Sequence, residues 1–216
     1  MPQVGFVAPD TQINTMTHSY SRRHFIKLST SGLAIMAARN ALATVPNSLS
    51  PTLMSRARSA VLEHRARISH VDRVGIVDFS QPSCVPRLFI VDLETGHIDR
   101  HLVAHGRGSD PAHTGWLQRF SNDLGSFASS KGAFVTAGNY VGAHGRSMRL
   151  IGLDHENSNA NLRAIVIHGA PYVSAEIARE TGVLGRSEGC FAVAPTSRET
   201  VLNKLGPGRL LYAARL

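Results

Sequence analysis

The two residues of this chain best suited to covalent chemistry are Cys190 and, twenty-two positions upstream, His168. A cysteine attacks carbonyl carbon as its thiolate, and a neighbouring imidazolium lowers the thiol pKa by stabilising the negative form. The local pattern places both groups at strand ends. Ala164 to Ile167 is a β-branched apolar run that stops at His168-Gly169, and Phe191 to Ala194 is a second apolar run that begins directly after Cys190. Gly189 allows a sharp turn before the cysteine, so that the amides of Gly189 and Cys190 can point at one developing oxyanion. Without that pattern His168 would read as a satisfied strand-end histidine and Cys190 as a small core hydrophobe.

With these residues in view, the sequence resembles the murein L,D-transpeptidase catalytic domain family, in the branch with a short spacing between His-Gly and Ser-x-Gly-Cys. The resemblance spans most of the chain after residue 43. It rests on Ile165-Val166-Ile167-His168-Gly169-Ala170, on Gly185-Arg186-Ser187-Glu188-Gly189-Cys190, and on the upstream block Gly142 to Leu150. It implies a mainly β fold, a sandwich or barrel with short peripheral helices, in a single domain. It also implies that Cys190 attacks the carbonyl between an L-centre and a D-centre of a peptidoglycan stem peptide while His168 takes the thiol proton. Gly189 would shape the nucleophile turn, and Ser187 would orient that turn or His168. Tyr140, His144, Arg186 and Gly169 fall on the substrate side, where a charged or polar side chain can hold a stem carboxylate. No cofactor and no metal are implied.

Two positions depart from the commonest family pattern. Glu188 stands where a histidine usually precedes Gly-Cys, and Ala192 where an asparagine or arginine usually follows. A carboxylate beside the nucleophile raises a thiol pKa, so Glu188 works against thiolate formation unless it faces solvent. These departures keep open a second reading, a wall-binding module on the same fold with little or no catalysis. A zinc hydrolase using His144, His168 and Cys190 is a third, but no His-x-x-x-His or paired Cys-x-x-Cys spacing supports it. His105-Gly106-Arg107-Gly108-Ser109 resembles a phosphate-cradling loop only superficially, because no Lys-Ser/Thr and helix follow. It is either a groove-lining block or a polar strand-end turn, and the Gly- and Ser-rich segment 105–130 is a candidate lid.

Residues 1–43 read as an export signal. Ser21-Arg22-Arg23-His24-Phe25-Ile26-Lys27 has the twin-arginine pattern, Leu28 to Ala38 is a modest apolar stretch, and Ala41-Leu42-Ala43 is a small-x-small cleavage site. An apolar stretch this short falls well below the roughly twenty residues of a permanent membrane helix. The expected destination is the periplasm, reached through the twin-arginine export machinery, with no stable membrane anchor after cleavage. The formal charge of +8 falls to +5 without the signal, which carries four of the 23 basic and one of the 15 acidic residues. A mildly basic surface suits an acidic cell-wall polymer. Basic residues scattered singly, an aromatic content of 6% and the lack of a nucleic-acid motif argue against a nucleic-acid partner.

The elements that must position the site follow from pattern. Residues 44–216 suit one domain. Ser50-Pro51 opens a helix whose Leu53, Ala57, Ala60, Val61 and His64 share a face. Strands are predicted at Val74 to Phe79, Leu88 to Leu93, Ile98 to Ala104, Phe134 to Ala137, Met148 to Leu153 and Leu210 to Ala213, with Glu94-Thr95-Gly96 turning a hairpin. Thr196-Ser197-Arg198-Glu199 reads as a capping box opening a helix that ends near Gly206. Cys84, in a turn between strands, is expected to be incidental, and both cysteines to be free thiols.

Overall fold

A computed structural model describes residues 48–216. The export signal read at 1–43 therefore lies outside the described residues, as does the start of the linker at Thr44. Helix α1 (Pro51–Glu63) starts where Ser50-Pro51 predicts: Ser50 is extended at φ −61° and ψ 128°, and proline occupies the first turn, where its missing N–H is not needed. Its buried face is Leu53, Ala57, Ala60 and Val61, packed on Val74, Ile76, Phe89 and Leu210. His64 is not part of that face. It caps the helix end, and its Nε2 lies 2.9 Å from Asp154 Oδ1.

Nine strands follow: β1 (Arg73–Asp78), β2 (Leu88–Asp92), β3 (Ile98–His101), β4 (Val103–Ala104), β5 (Gly132–Gly142), β6 (Gly145–Gly152), β7 (Val166–Gly169), β8 (Phe191–Val193) and β9 (Leu210–Ala214). They form one mixed sheet in the order β3-β2-β1-β9-β5-β6-β7-β8-β4. The single strand predicted over 98–104 is in fact two. Ile98–His101 pairs with β2 and Val103–Ala104 with β8, so Leu102 alone joins the two opposite edges of the sheet. The sheet must therefore curl back on itself. Phe79, just after β1, stacks on Phe191 of β8 with ring centroids 6.1 Å apart, which fills the inside of that curl. The mainly β architecture with peripheral helices is as the sequence implies.

Three connections build the site. β5 and β6 form a long hairpin whose Gly142 and Gly145 pair across an Ala143-His144 turn, with Gly145 in the left-handed region at φ +72°. The sequence shows only the buried ends of these strands, because the overhanging part is built from Gly138, Asn139 and Gly142, residues that elsewhere mark turns. β7 and β8 are parallel, which requires a crossover, and α2 (Ala175–Thr181) supplies it. That helix is capped by Ser174 Oγ, which accepts from Ile177 N, and stops at Gly182 with φ +72°. The register Ile167↔Phe191 brings Cys190 level with Val166, two residues before His168, so strand alternation aims both side chains to one face.

The capping box at 196–199 does not form. α3 (Pro195–Leu205) begins two residues earlier than a Thr196 cap would set, because Pro195 sets the first helical turn and makes Ala194 the N-cap, with no side-chain cap. Glu199 instead takes Arg146 of β6 as partner at 2.5 Å, tying α3 to the hairpin. Among the described residues no helix is long and apolar enough to cross a membrane.

Candidate active site

His168 is the next-to-last residue of β7 and is 2% exposed. Its Nδ1 lies 3.0 Å from the Gly169 carbonyl oxygen. A carbonyl only accepts, so Nδ1 carries the proton and Nε2 is left as the basic nitrogen. Gly169, placed on the substrate side by the sequence, is thus the group that orients His168; it does not line the cavity described below. The hairpin tip lays His144 against His168 with ring centroids 4.3 Å apart and planes inclined by 23°. Burial holds the His168 pKa below its usual 6.5, the bond to Gly169 opposes this, and the neighbouring His144 adds to it.

The half-buried Cys190 thiol donates to the Ala164 carbonyl at 3.5 Å. Ala164 is held at φ +50°, a conformation rare outside glycine. Burial pushes the Cys190 thiol above its usual 9.0; the Val166 amide and Arg163 pull it down, and Glu188 pushes it up. Burial thus works against the imidazolium-thiolate pair expected from sequence. Both groups are desolvated, and each shift favours its neutral state near pH 7.

Ser187 braces the turn between them. Its Oγ donates to the Cys190 carbonyl at 2.7 Å and accepts from Gly189 N at 3.2 Å. The amide of Gly189 is thus taken, and the pair of oxyanion donors expected at 189–190 is reduced to that of Cys190. Gly189 itself sits at φ +116°, and a Cβ there would come within 2.8 Å of the Ala128 carbonyl oxygen. No other residue fits. Ala192 is buried in β8 between His168 and Ala104, so no polar group reaches the site from that position.

Cys190, His168, His144, Arg186, Ser187 and Glu188 line one cavity of about 540 Å³. Tyr140 does not: it is half-buried outside the cavity, with the Arg149 guanidinium 4.4 Å above its ring. Sequence reasoning missed Arg163, Tyr172 and the apolar mouth made by Leu124, Phe127 and Leu162, all in the same lining. Arg163 opens the run that ends at His168, a position that could have flagged it. Its Nη1 donates to the Ser121 carbonyl and to Ser130 Oγ, each at 2.7 Å, and its Nη2 to the Ala128 carbonyl. Arg186 Nη1 donates to the carbonyls of Asp110 and Pro111. Neither arginine has a carboxylate within ion-pair distance among the described residues, so both leave net positive charge at the cavity wall. Tyr172 is a neutral phenol, pushed up to about 12 by burial and then by Cys190 and Glu188. Gly185 admits it, since a Cβ there would meet Tyr172 Cβ at 2.5 Å.

The 105–109 block is no phosphate cradle. A Cβ on Gly106 would lie 2.3 Å from the Phe127 carbonyl oxygen, so the block packs backbone to backbone against 126–129. Its Arg107 reaches the site edge, pairing with Glu188 at 3.0 Å and lying 4.0 Å over the Phe127 ring. His105 points away into the core, where Arg87 Nη2 donates to its Nδ1 at 2.7 Å and Asp110 Oδ2 lies 3.4 Å from its Nε2. Burial, with Arg87 next, drops the His105 pKa to about 3. Cys84 and Cys190 are both free thiols. Among the described residues no group of three or more His, Cys, Asp or Glu is gathered as metal ligands.

The family profile of the L,D-transpeptidase catalytic domain matches residues 46–214. A comparison with curated proteins gives no match. Among solved structures, an L,D-transpeptidase from Mycobacterium smegmatis is 11% identical, with 66% of this chain and 58% of that one covered at a TM-score of 0.40. An L,D-transpeptidase from Xylanimonas cellulosilytica is 14% identical, with 72% and 68% covered at 0.40. L,D-transpeptidase 3 from Mycobacterium tuberculosis is 15% identical, with 66% and 61% covered at 0.38. The chain spans about six tenths of the length of the two mycobacterial structures. At these values the structural likenesses carry no residue-level argument, and the assignment stands on the profile match.

Proposed function

The chain belongs to the L,D-transpeptidase catalytic domain family, and from that premise we propose that it is a cysteine acyltransferase of peptidoglycan stem peptides, with Cys190 as nucleophile and His168 as base. The observation that carries the proposal is one cavity lined by a thiol and by an imidazole whose free nitrogen is Nε2.

The reaction starts from two neutral groups. As Cys190 Sγ attacks the carbonyl carbon between the L- and D-centres, His168 Nε2 takes the thiol proton, so charge develops only once substrate fills the cavity. The Cys190 amide holds the developing oxyanion. Collapse breaks the C–N bond, and the departing D-amino acid amine leaves with the proton from His168. The thioester on Cys190 then passes its acyl group to an amine, giving a cross-link or exchange, or to water, giving carboxypeptidase trimming. Arg163 and Arg186 draw the acidic stem to the cavity wall. Export through the twin-arginine route to the periplasm, with no stable membrane anchor, is part of the same proposal, because the substrate lies there.

Incubation with disaccharide-tetrapeptide muropeptides tests the assignment. Cross-linked dimers or trimmed tripeptides are expected with the wild type and absent with Cys190→Ala. Equal product from both would remove Cys190 from the mechanism.

A further inference from the structure

Glu188 is the only carboxylate among the residues lining the cavity, on a wall that also carries the guanidinium groups of Arg163 and Arg186. It sits two residues before the nucleophile and is exposed, with 68% of its side chain accessible. Its Oε1 accepts from Arg107 Nη2 at 3.0 Å, and among the described residues Oε2 has no protein partner. Arg107 is itself held over Phe127 at 4.0 Å, so the pair marks a defined edge of the cavity and not a wandering surface charge. A carboxylate here works against the first half of the reaction, since it raises the thiol pKa. It also repels an acidic donor peptide. Its charge is useful only in the second half, when the thiol is already acylated and a cationic nucleophile must approach.

Resting on the acyltransferase reading above, we propose that Glu188 is the specificity-determining residue for the acceptor, binding the ammonium group of an amine and so favouring transfer over hydrolysis. Arg107 holds the carboxylate in place and yields part of it when the acceptor arrives, as exposed ion pairs exchange readily. The acceptor ammonium loses one proton to solvent, and its lone pair attacks the thioester carbon. The second amine proton goes to His168 Nε2 as the C–S bond breaks, and His168 returns it to Cys190 Sγ. Amide and thiol are regenerated in balance. The division of labour is spatial: Arg163 and Arg186 face the anionic donor, and Glu188 faces the cationic acceptor.

The test uses the purified chain, a tetrapeptide donor and two acceptors of one shape, D-alaninamide, which is cationic, and D-lactamide, a neutral alcohol. The readout is the ratio of transfer to hydrolysis, which is internal to the acyl-enzyme and so independent of how fast it forms. Glu188→Gln keeps the shape and removes the charge. The expected result is a fall of about fivefold in the transfer ratio for D-alaninamide at subsaturating acceptor, carried by its apparent KM and diminished in wild type by added salt. Transfer to D-lactamide should keep its ratio. Unchanged ratios for both acceptors, or equal losses for both, would overturn the acceptor role. Intact-mass detection of the Cys190 acyl adduct in the same reactions separates the two levels: no adduct in the wild type would overturn the acyltransferase reading, and this inference with it.

Discussion

The chain contains two buried His-Gly pairs that look alike on paper and behave as opposites in the fold. His105 and His168 are exposed by 1% and 2%, and each is followed by a glycine. His105 has the Arg87 guanidinium on one ring nitrogen, while the other, with Asp110 Oδ2 at 3.4 Å and no hydrogen bond, is closed inside the core. His168 spends one nitrogen on a backbone carbonyl and keeps the other free beside a thiol-lined space. Burial alone therefore does not make a histidine catalytic. What separates the two is whether the nitrogen without a hydrogen bond opens on a cavity, with the other held by a carbonyl that chooses the tautomer. The fully buried Arg87 shows the cost of the structural alternative: its guanidinium also serves the Val103 and Gln81 carbonyls, and burial draws its pKa down to about 9.

The contrast is broken most sharply by exchanging the fates of the two histidines. His168→Ala is expected to lower kcat/KM of the folded fraction by at least about a thousandfold, far beyond what the loss of its buried packing, about 1–3 kcal/mol of stability, would explain. His105→Ala is expected to lower stability and spare catalysis. It strips a buried guanidinium of a partner and costs about 2–3 kcal/mol of stability, seen as a lower Tm, while the folded fraction keeps turnover within about tenfold. Comparable catalytic losses in both variants would erase the distinction.

Gly189→Ala comes next in size. The left-handed φ and the contact with the Ala128 carbonyl together predict about 1–3 kcal/mol of strain and a loss of about a hundredfold in turnover, read by thermal melts alongside kinetics. The smallest effect sharpens the electrostatics of His168. Its pKa is depressed, so the neutral base survives to lower pH and the acid limb of kcat/KM should fall below pH 6.5. His144 contributes to that depression. Its replacement by alanine should therefore move the limb upward, and a pH-rate profile of the two proteins would show it.

Cys190, His168 and the face they share were legible because they sit on strand ends, where alternation and an abrupt glycine leave a local signature. Arg163, Tyr172 and Phe127 were not, because loops deliver them and nothing in a loop's own sequence says which cavity it will line. Tyr140 illustrates the converse, an aromatic in a promising block that lies in line with His168 through Ser147 but two strands away, where it packs under Arg149 outside the cavity. The β5–β6 hairpin was only half visible, since its overhang buries no periodic apolar face. Proline chemistry was decisive twice, correctly at Pro51 and overlooked at Pro195, where it displaced the predicted cap. Thiol and imidazole charge could not be read at all, because desolvation depends on the assembled curl of the sheet.

The most direct test of the central claim is intact-protein mass spectrometry of the reduced, folded chain after exposure to a carbapenem, with Cys190→Ala and His168→Ala in parallel. A single covalent adduct is expected on the wild type, none on Cys190→Ala, and a much slower one on His168→Ala. An adduct that persists in Cys190→Ala, or a wild type that stays unmodified, would contradict the account.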